Sequence, residues 1–401
     1  MLGKIKKIRF DLIATGLAIF SMLFGAGNLM YPIAVGLASG KYTLIGLTGF
    51  LITAVLLPLM GLVAMILYNG DYRKFFGRLG KTPGKIMIAI CMIIIGPGLV
   101  IPRIVSVAHV MISSFFPFEI LRGTGLVSLF LFSIIFLGIT FLGSFKENNI
   151  VDILGYVISP VLLISLATMI IKGMITAENI VATTGTPLQL FKDNIFQGYQ
   201  TLDLLGTLFF ASIIITILKS KLYDDKCNQF CLKKLAMFGL KAGAIGVSLL
   251  AIVYFGMSFL AAYHGHGLGF INAGEAFKII AFRVIGTYGA AILGIATLMA
   301  CLSTSIGLSA VTADYIQKNI FKNKIGYLAS LVLVLVACIP LSTYGLDAVL
   351  AITGGPIVFI GYPVLIALTF CNILYKLFGF KYVKAPVLAT FMITFAAYYL
   401  F

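Results

Sequence analysis

Long apolar runs, each bounded by charge or by glycine and proline, recur along the whole chain without the strict polar–apolar alternation of a transmembrane strand. Their lengths suit helices that cross a bilayer, for which about 20 apolar residues suffice. The predicted spans, numbered one to eleven, cover 10–37, 43–69, 86–114, 125–143, 149–172, 190–218, 236–262, 286–313, 325–341, 344–375 and 385–401. Gly354-Gly355-Pro356 lies inside the tenth, and a hairpin there would make the number twelve. The fold class is all-α and integral to a membrane, with 11–12 transmembrane helices in one domain over 1–401.

Two spans break the apolar pattern at mid-depth. Span one contains Ser21-Met-Leu-Phe-Gly-Ala-Gly-Asn-Leu-Met-Tyr-Pro32, and span six contains Gly198-Tyr-Gln-Thr-Leu-Asp203. An unpaired peptide group in hydrocarbon costs several kcal/mol, so irregular backbone is tolerated there only where it lines a protected cavity. Span one runs one way across the membrane and span six the other, five spans later. A five-span unit repeated in tandem inserts upside down the second time, which predicts inverted repeats over 10–172 and 187–375 around a midplane site. Residues 376–401 then form an accessory C-terminal helix.

Composition and charge sharpen this picture. The chain is 61% hydrophobic with 10% charged residues, more apolar surface than a soluble domain of 401 residues can bury. The net charge of +16 does not indicate nucleic acid, because the basic residues sit in alternate loops. With the N-terminus cytoplasmic, 22 of the 29 Lys and Arg fall on the inner side, six fall outside and Arg103 is embedded. Lys4, Lys6, Lys7 and Arg9 lead into a span too long for a signal peptide core, so the first helix is expected to be retained. Four of the six cysteines lie in apolar spans as small hydrophobes. Cys227 and Cys231 share a loop with no partner set for zinc.

Few ionisable groups lie deep in the spans. Arg103 in span three and Asp203 in span six need partners, water or ligand, since an intramembrane charge costs about 2.5 to 3.5 kcal/mol or more. They are candidates for an ion pair, a gate or a ligand contact. Asp152, Lys241 and Asp314 lie nearer the inner interface, His109 reads as a hydrogen-bonded packing residue, and His264 and His266 sit in an outer loop. Span eight carries Ser303-Thr304-Ser305 in an apolar helix. Hydroxyl and carbonyl oxygens are hard neutral ligands, so Ser303, Thr304 and the Ala300 carbonyl, with carbonyls freed by the break in span one, could hold a sodium ion. The bland alternative is that these hydroxyls bond back to the preceding turn.

Several segments resemble the bacterial branched-chain amino acid carrier family, cation symporters for leucine, isoleucine and valine. They are Phe24-Gly-Ala-Gly-Asn-Leu, Gly96-Pro-Gly-Leu-Val-Ile-Pro-Arg103, Asn149-Ile-Val-Asp152 with Ser159-Pro160, Gly198-Tyr-Gln-Thr-Leu-Asp203, and Cys301-Leu-Ser-Thr-Ser-Ile-Gly307. That family is similar to the amino acid, polyamine and organocation superfamily, which implies a five-plus-five inverted-repeat core of the LeuT type with spans one and six broken. The resemblance implies that Gly25, Ala26, Gly27 and Asn28 meet the substrate carboxylate, with Tyr199, Thr201 and Asp203 completing the substrate site. It also implies a sodium site of Ala300, Ser303 and Thr304, with backbone carbonyls from Ser21 and Phe24. The ammonium is expected at carbonyls near the break in span six or at Asp203, and the side chain between spans three, six and eight. The chain reads Met30-Tyr31-Pro32-Ile33 where family members usually have paired prolines, and Ser-Thr-Ser where they often have Thr-Thr-Ala.

The function expected is import of branched-chain amino acids in symport with sodium, with no enzymatic activity and no organic cofactor. A proton is the alternative coupling ion, and a nucleobase or another amino acid the alternative substrate. A transporter-like sensor would need a signalling tail, and an embedded enzyme would need a nucleophile or metal constellation that the sequence does not supply. The expected surroundings are the lipid of a bacterial inner membrane, with no nucleic acid and no obligate protein partner.

Overall fold

The hydrogen-bond ladder of span one stops at its glycine cluster. In the computed structural model, which describes residues 2–145, 159–183, 185–222 and 232–400, span one consists of helices Leu2–Leu23 and Ala26–Ser39, parted at Phe24 and Gly25. Span six is likewise Pro187–Tyr199 and Asp203–Leu222, parted by residues 200–202. Leu202 in that gap is left-handed, with φ 62°. Among the described residues there is no strand, and six helices are long and apolar enough to cross a membrane, accompanied by four shorter apolar ones. The protein is an integral membrane protein.

Spans three, eight and ten also depart from simple rods. Span three, expected to be continuous, runs Lys81–Ile93 and then loses helical geometry at Gly96 (φ −90°, ψ −120°) before resuming as Val100–Ile112. Pro97 accounts for this, since a proline disfavours helical geometry in the residue before it and removes a donor. Span eight belongs to a helical run Ala273–Tyr315 that bends at Gly286, whose φ of 71° favours glycine. Span ten is Leu346–Thr353 and Tyr362–Phe378, joined through Gly354-Gly355-Pro356 and a π turn at Ile357–Gly361. Its first part packs on span three and its second on span two.

Packing sorts the spans into two groups. Spans one, two, six and seven lie against one another, and spans three, four, eight and nine form the second group. Each group pairs members five positions apart in the chain, as an inverted five-plus-five repeat requires. Close approach between spans two and six depends on Gly49, whose added Cβ would meet the Phe191 backbone. Large side chains such as Leu142, Ile164 and Ile393 project outward, the pattern of a lipid-facing surface. Buried polar residues gather instead where the two groups meet, around Asn28, Arg103, Asp203 and Thr304.

Candidate functional site

Gly25 opens the second half of span one. Its N–H donates to Asn28 Oδ1 (3.2 Å) and its carbonyl accepts from the Asn28 N–H (3.1 Å), so Asn28 closes the turn that starts the half-helix. The remaining N–H groups of that first turn, at Ala26 and Gly27, have no carbonyl of their own helix to bond and carry the positive end of its dipole. Asn28 is buried, and its Nδ2 donates both to Asp203 Oδ2 (2.6 Å) and to the Tyr254 hydroxyl. Tyr254, in span seven, donates in turn to Asp203 Oδ2 (3.3 Å). Two contacts from neutral donors to the carboxylate, joined by the Asn28–Tyr254 bond, thus tie the breaks of spans one and six together.

The break in span six leaves its own orphan carbonyls. Arg103, 2% exposed on span three, donates from Nη1 to the Gln200 carbonyl (2.7 Å) and from Nη2 to the Thr201 carbonyl (3.2 Å). Its Nη1 also lies 3.5 Å from the Tyr31 hydroxyl, and its Nε has no hydrogen-bond partner. Two sequence expectations change here. Arg103 and Asp203 do not pair directly, because the guanidinium is taken up by carbonyls and the carboxylate by Asn28 and Tyr254. The carbonyls expected to face a substrate ammonium are those that Arg103 already occupies. Thr201 Oγ1 bonds the Gly198 carbonyl (2.9 Å) and accepts from the Asp203 N–H (3.4 Å), shaping the turn.

A cavity of about 30 Å³ opens between these groups, lined by Gly25, Ala26, Gly27, Asn28, Arg103, Thr201, Asp203 and Thr304 on its polar side. Leu23, Ile95, Val100, Ile104, Phe210 and Leu308 form its apolar wall. That volume accommodates about two waters, so an aliphatic side chain enters only as the surrounding spans move apart. The expected apolar wall from spans three, six and eight is there. Tyr199 is not part of the lining. It ends the first half of span six and turns away, its ring 5.1 Å from that of Tyr362 and 5.6 Å from that of Phe196.

Behind the cavity, oxygens from spans one and eight converge. Thr304 Oγ1 lies 3.5 Å from the Phe24 carbonyl and 3.2 Å from the Ala300 carbonyl, and Ser303 Oγ donates to Ala300 O (2.8 Å). Ser21 Oγ is buried with no partner. This set consists of neutral hard oxygens, which suit an alkali cation, and Ser303 and Thr304 also make the back-bonds of the bland alternative. Ser305 plays a different part. It meets Thr140 (3.2 Å) while Ser309 meets Ser144 (3.0 Å), so alternate hydroxyls of span eight bolt it to span four.

Tyr254 and Tyr362 escaped the sequence reading. A tyrosine in an apolar span looks like packing, and the signal available was only that a buried hydroxyl needs a partner. Tyr362 supplies one to the Leu204 N–H (3.0 Å), at the start of the second half of span six. His109 is buried against the Leu121 carbonyl (3.1 Å), as a packing residue should be, while His264 and His266 bond the carbonyls of Gly173 and Asn179. Asp314 pairs with Lys318, and Lys241 is exposed. Asp152, the Asn149–Asp152 segment, Cys227 and Cys231 lie outside the described residues. The other four cysteines are buried and free.

Comparison with known proteins adds identity to this geometry. The chain is 30% identical over 379 residues to the branched-chain amino acid permease BrnQ of Bacillus subtilis (strain 168), covering 92% of this chain and 82% of that protein. It is 29% identical to the permease BraB of the same organism, covering 92% and 81%. Among solved structures, it resembles the inward-facing conformation of Mhp1 with a TM-score of 0.62 at 12% identity, covering 91% of this chain and 77% of that one. Mhp1 closed with bromovinylhydantoin bound, a nucleobase-cation-symport-1 family transporter, gives 0.58 at 15% identity over 96% and 91%. A Na+-coupled sialic acid symporter in a substrate-bound outward-open state gives 0.55 at 12% identity over 96% and 88%. These likenesses establish the LeuT-type fold of the chain. Residues 8–399 match the family described as branched-chain amino acid transport protein, and the chain belongs to that family.

Proposed function

We propose that the protein imports the branched aliphatic amino acids leucine, isoleucine and valine, coupled to sodium, by alternating access. The observation that carries this reading is the meeting of two mid-span helix breaks at one buried cavity whose wall is otherwise apolar. The names of the Bacillus permeases support the substrate class. In this reading the substrate carboxylate meets the free N–H groups of Ala26 and Gly27, where a helix N-terminus favours an anion. The ammonium faces Asp203, since Gln200 and Thr201 have given their carbonyls to Arg103. The side chain enters the apolar wall, where one methylene is worth only about 1 to 3 kcal/mol, so the three substrates compete.

The oxygens of Phe24, Ala300, Ser303 and Thr304, with the Ser21 backbone carbonyl that the family resemblance adds, support a sodium ion carried with the substrate. An ion there ties span one to span eight across the two packing groups. Symport follows when ion and substrate each bind more tightly in the presence of the other. The repeats span 10–172 and 187–375, with 376–401 as an accessory helix. The protein sits in a bacterial inner membrane with its N-terminus cytoplasmic, supported by the distribution of Lys and Arg.

Labelled leucine uptake into proteoliposomes tests this reading, with an inward sodium gradient set against equimolar potassium and with valine, isoleucine and uracil as competitors. Sodium-dependent accumulation blocked by valine and isoleucine is expected. Uptake blocked by uracil alone would overturn the substrate class. One observation favours a second coupling ion: Asp203 is a buried carboxylate with only neutral hydrogen-bond partners. Uptake driven by a pH gradient and indifferent to sodium would transfer the coupling to that group.

A further inference from the structure

Arg103 is a guanidinium buried to 2% exposure, and each of its hydrogen-bond partners is a neutral oxygen. No carboxylate lies within 4.0 Å of it among the described residues, and its Nε bonds nothing. A buried cation without a counter-anion is among the most expensive arrangements a membrane protein can hold, so such a group is retained where an anion arrives.

The place where an anion would arrive is defined by a second feature. A Cβ on Gly27 would fall 3.1 Å from Arg103 Nη2, so the guanidinium lies directly against the first turn of the half-helix Ala26–Ser39. Two positive features, a helix N-terminus and a guanidinium, therefore border the same cavity side by side. They repel one another until an anion lies between them. Asp203 lines the same cavity but gives its carboxylate to Asn28 and Tyr254 and makes no direct contact with Arg103.

Resting on the transport reading above, we propose that Arg103 is the carboxylate-binding residue of the substrate site. The cavity is then a receptor for a zwitterion, with Arg103 and the Ala26–Gly27 N–H groups at one pole and Asp203 at the other. The substrate completes the ion pair that the protein's own packing keeps apart. Gln200 and Thr201 fix the guanidinium as a fork, leaving Nε and the cavity-facing edge for the ligand. The arrangement selects for the presence of both charges, and the apolar wall selects the side chain.

The test measures binding by the full chain, purified in nanodiscs with sodium present, using leucine, leucinol, which lacks the carboxylate, and 4-methylpentanoate, which lacks the ammonium. Wild-type protein is expected to bind leucinol and 4-methylpentanoate at least about 100-fold more weakly than leucine, because a site built around a polar group rejects analogues that lack it. Arg103→Gln is expected to lose about 100-fold in leucine affinity while its affinity for leucinol stays within about threefold. Arg103→Lys should fall between them. Wild-type protein that binds leucinol as tightly as leucine overturns the proposal, as does a cooperatively melting Arg103→Gln variant with unchanged leucine affinity. If Arg103→Gln does not fold, the wild-type analogue panel and Arg103→Lys decide. Wild-type protein that binds no leucine overturns the transport reading and this proposal together, whereas leucine binding indifferent to Arg103 overturns this proposal alone.

Discussion

Gly25 touches both halves of the proposed mechanism, because a Cβ there would fall 3.3 Å from Thr304 Cγ2 and 3.4 Å from its Oγ1. Its backbone is extended (φ −113°, ψ −164°), so alanine is permitted by conformation and resisted only by Thr304. Gly25→Ala should therefore push the Thr304 hydroxyl away from Phe24 without unfolding the turn. Half-maximal sodium for leucine uptake is expected to rise about tenfold, the effect of about 1.4 kcal/mol, with leucine, valine and isoleucine keeping their order. Thr304→Ala should do the same by deleting the hydroxyl. Sodium dependence unchanged in both variants would remove the cage. Asp203→Asn probes the opposite wall: the amide oxygen still accepts from Asn28, so the fold should survive while the charge facing the ammonium is lost. Leucine uptake is expected to fall at least about 100-fold with the melting temperature nearly unchanged, and normal uptake would make Asp203 structural.

The broken spans show at the level of elements what can be read from a sequence and what cannot. Gly25-Ala-Gly-Asn28 was legible because glycines beside an asparagine at membrane depth favour a broken helix over a merely close-packed one. Span six was legible only through Gly198 and Asp203, and the residue that makes its turn, Leu202, carries no such signal. Leucine at φ 62° costs about 1 to 2 kcal/mol, a cost that only the surrounding bonds from Arg103 and Tyr362 make tolerable. The break in span three was available in Gly96-Pro97-Gly98, yet prolines occur in unbroken membrane helices when neighbours satisfy the freed groups, so the sequence alone does not decide. The separation of Arg103 from Asp203 was likewise beyond the sequence, since it depends in part on the Tyr254 hydroxyl of span seven, which read as packing. Leu202 also yields a test of sign. Leu202→Gly relieves the backbone but forfeits burial worth about 1.5 to 3 kcal/mol, leaving a net loss of about 2 kcal/mol or less. Leu202→Val keeps more apolar area but adds a β-branch where φ is positive, so it should be the less stable of the two. Thermal melting of both variants in detergent decides, and a more stable valine variant would mean that the turn relaxes out of the left-handed region.

At the scale of the whole molecule, the proposed transport cycle has the two packing groups move relative to each other and open the site alternately to either side. The cavity of about 30 Å³ is too small to exchange an amino acid as it stands, and which opening of the cycle leads to the cell interior depends on how the molecule is oriented in the membrane. The proposed orientation rests on the chain's charge, since 22 of the 29 Lys and Arg fall in segments on the same side as the N-terminus. The latch at that end is itself basic and aromatic. Tyr68 donates to Asn372 (2.5 Å), while Arg78 lies over the Tyr375 ring at 3.5 Å and Lys376 over Tyr68 at 4.7 Å, linking the end of span two to the end of span ten. Cations at this depth are stabilised by the anionic lipid of a cytoplasmic leaflet, which gives the latch a reason to face inward. Phe270, in the loop after span seven, and Asn323, in the loop after span eight, are both exposed and lie at opposite ends. With the native cysteines replaced, Phe270→Cys should react with a membrane-impermeant maleimide in intact cells, and Asn323→Cys only after permeabilisation. The reverse pattern would turn the molecule over and place the latch outside.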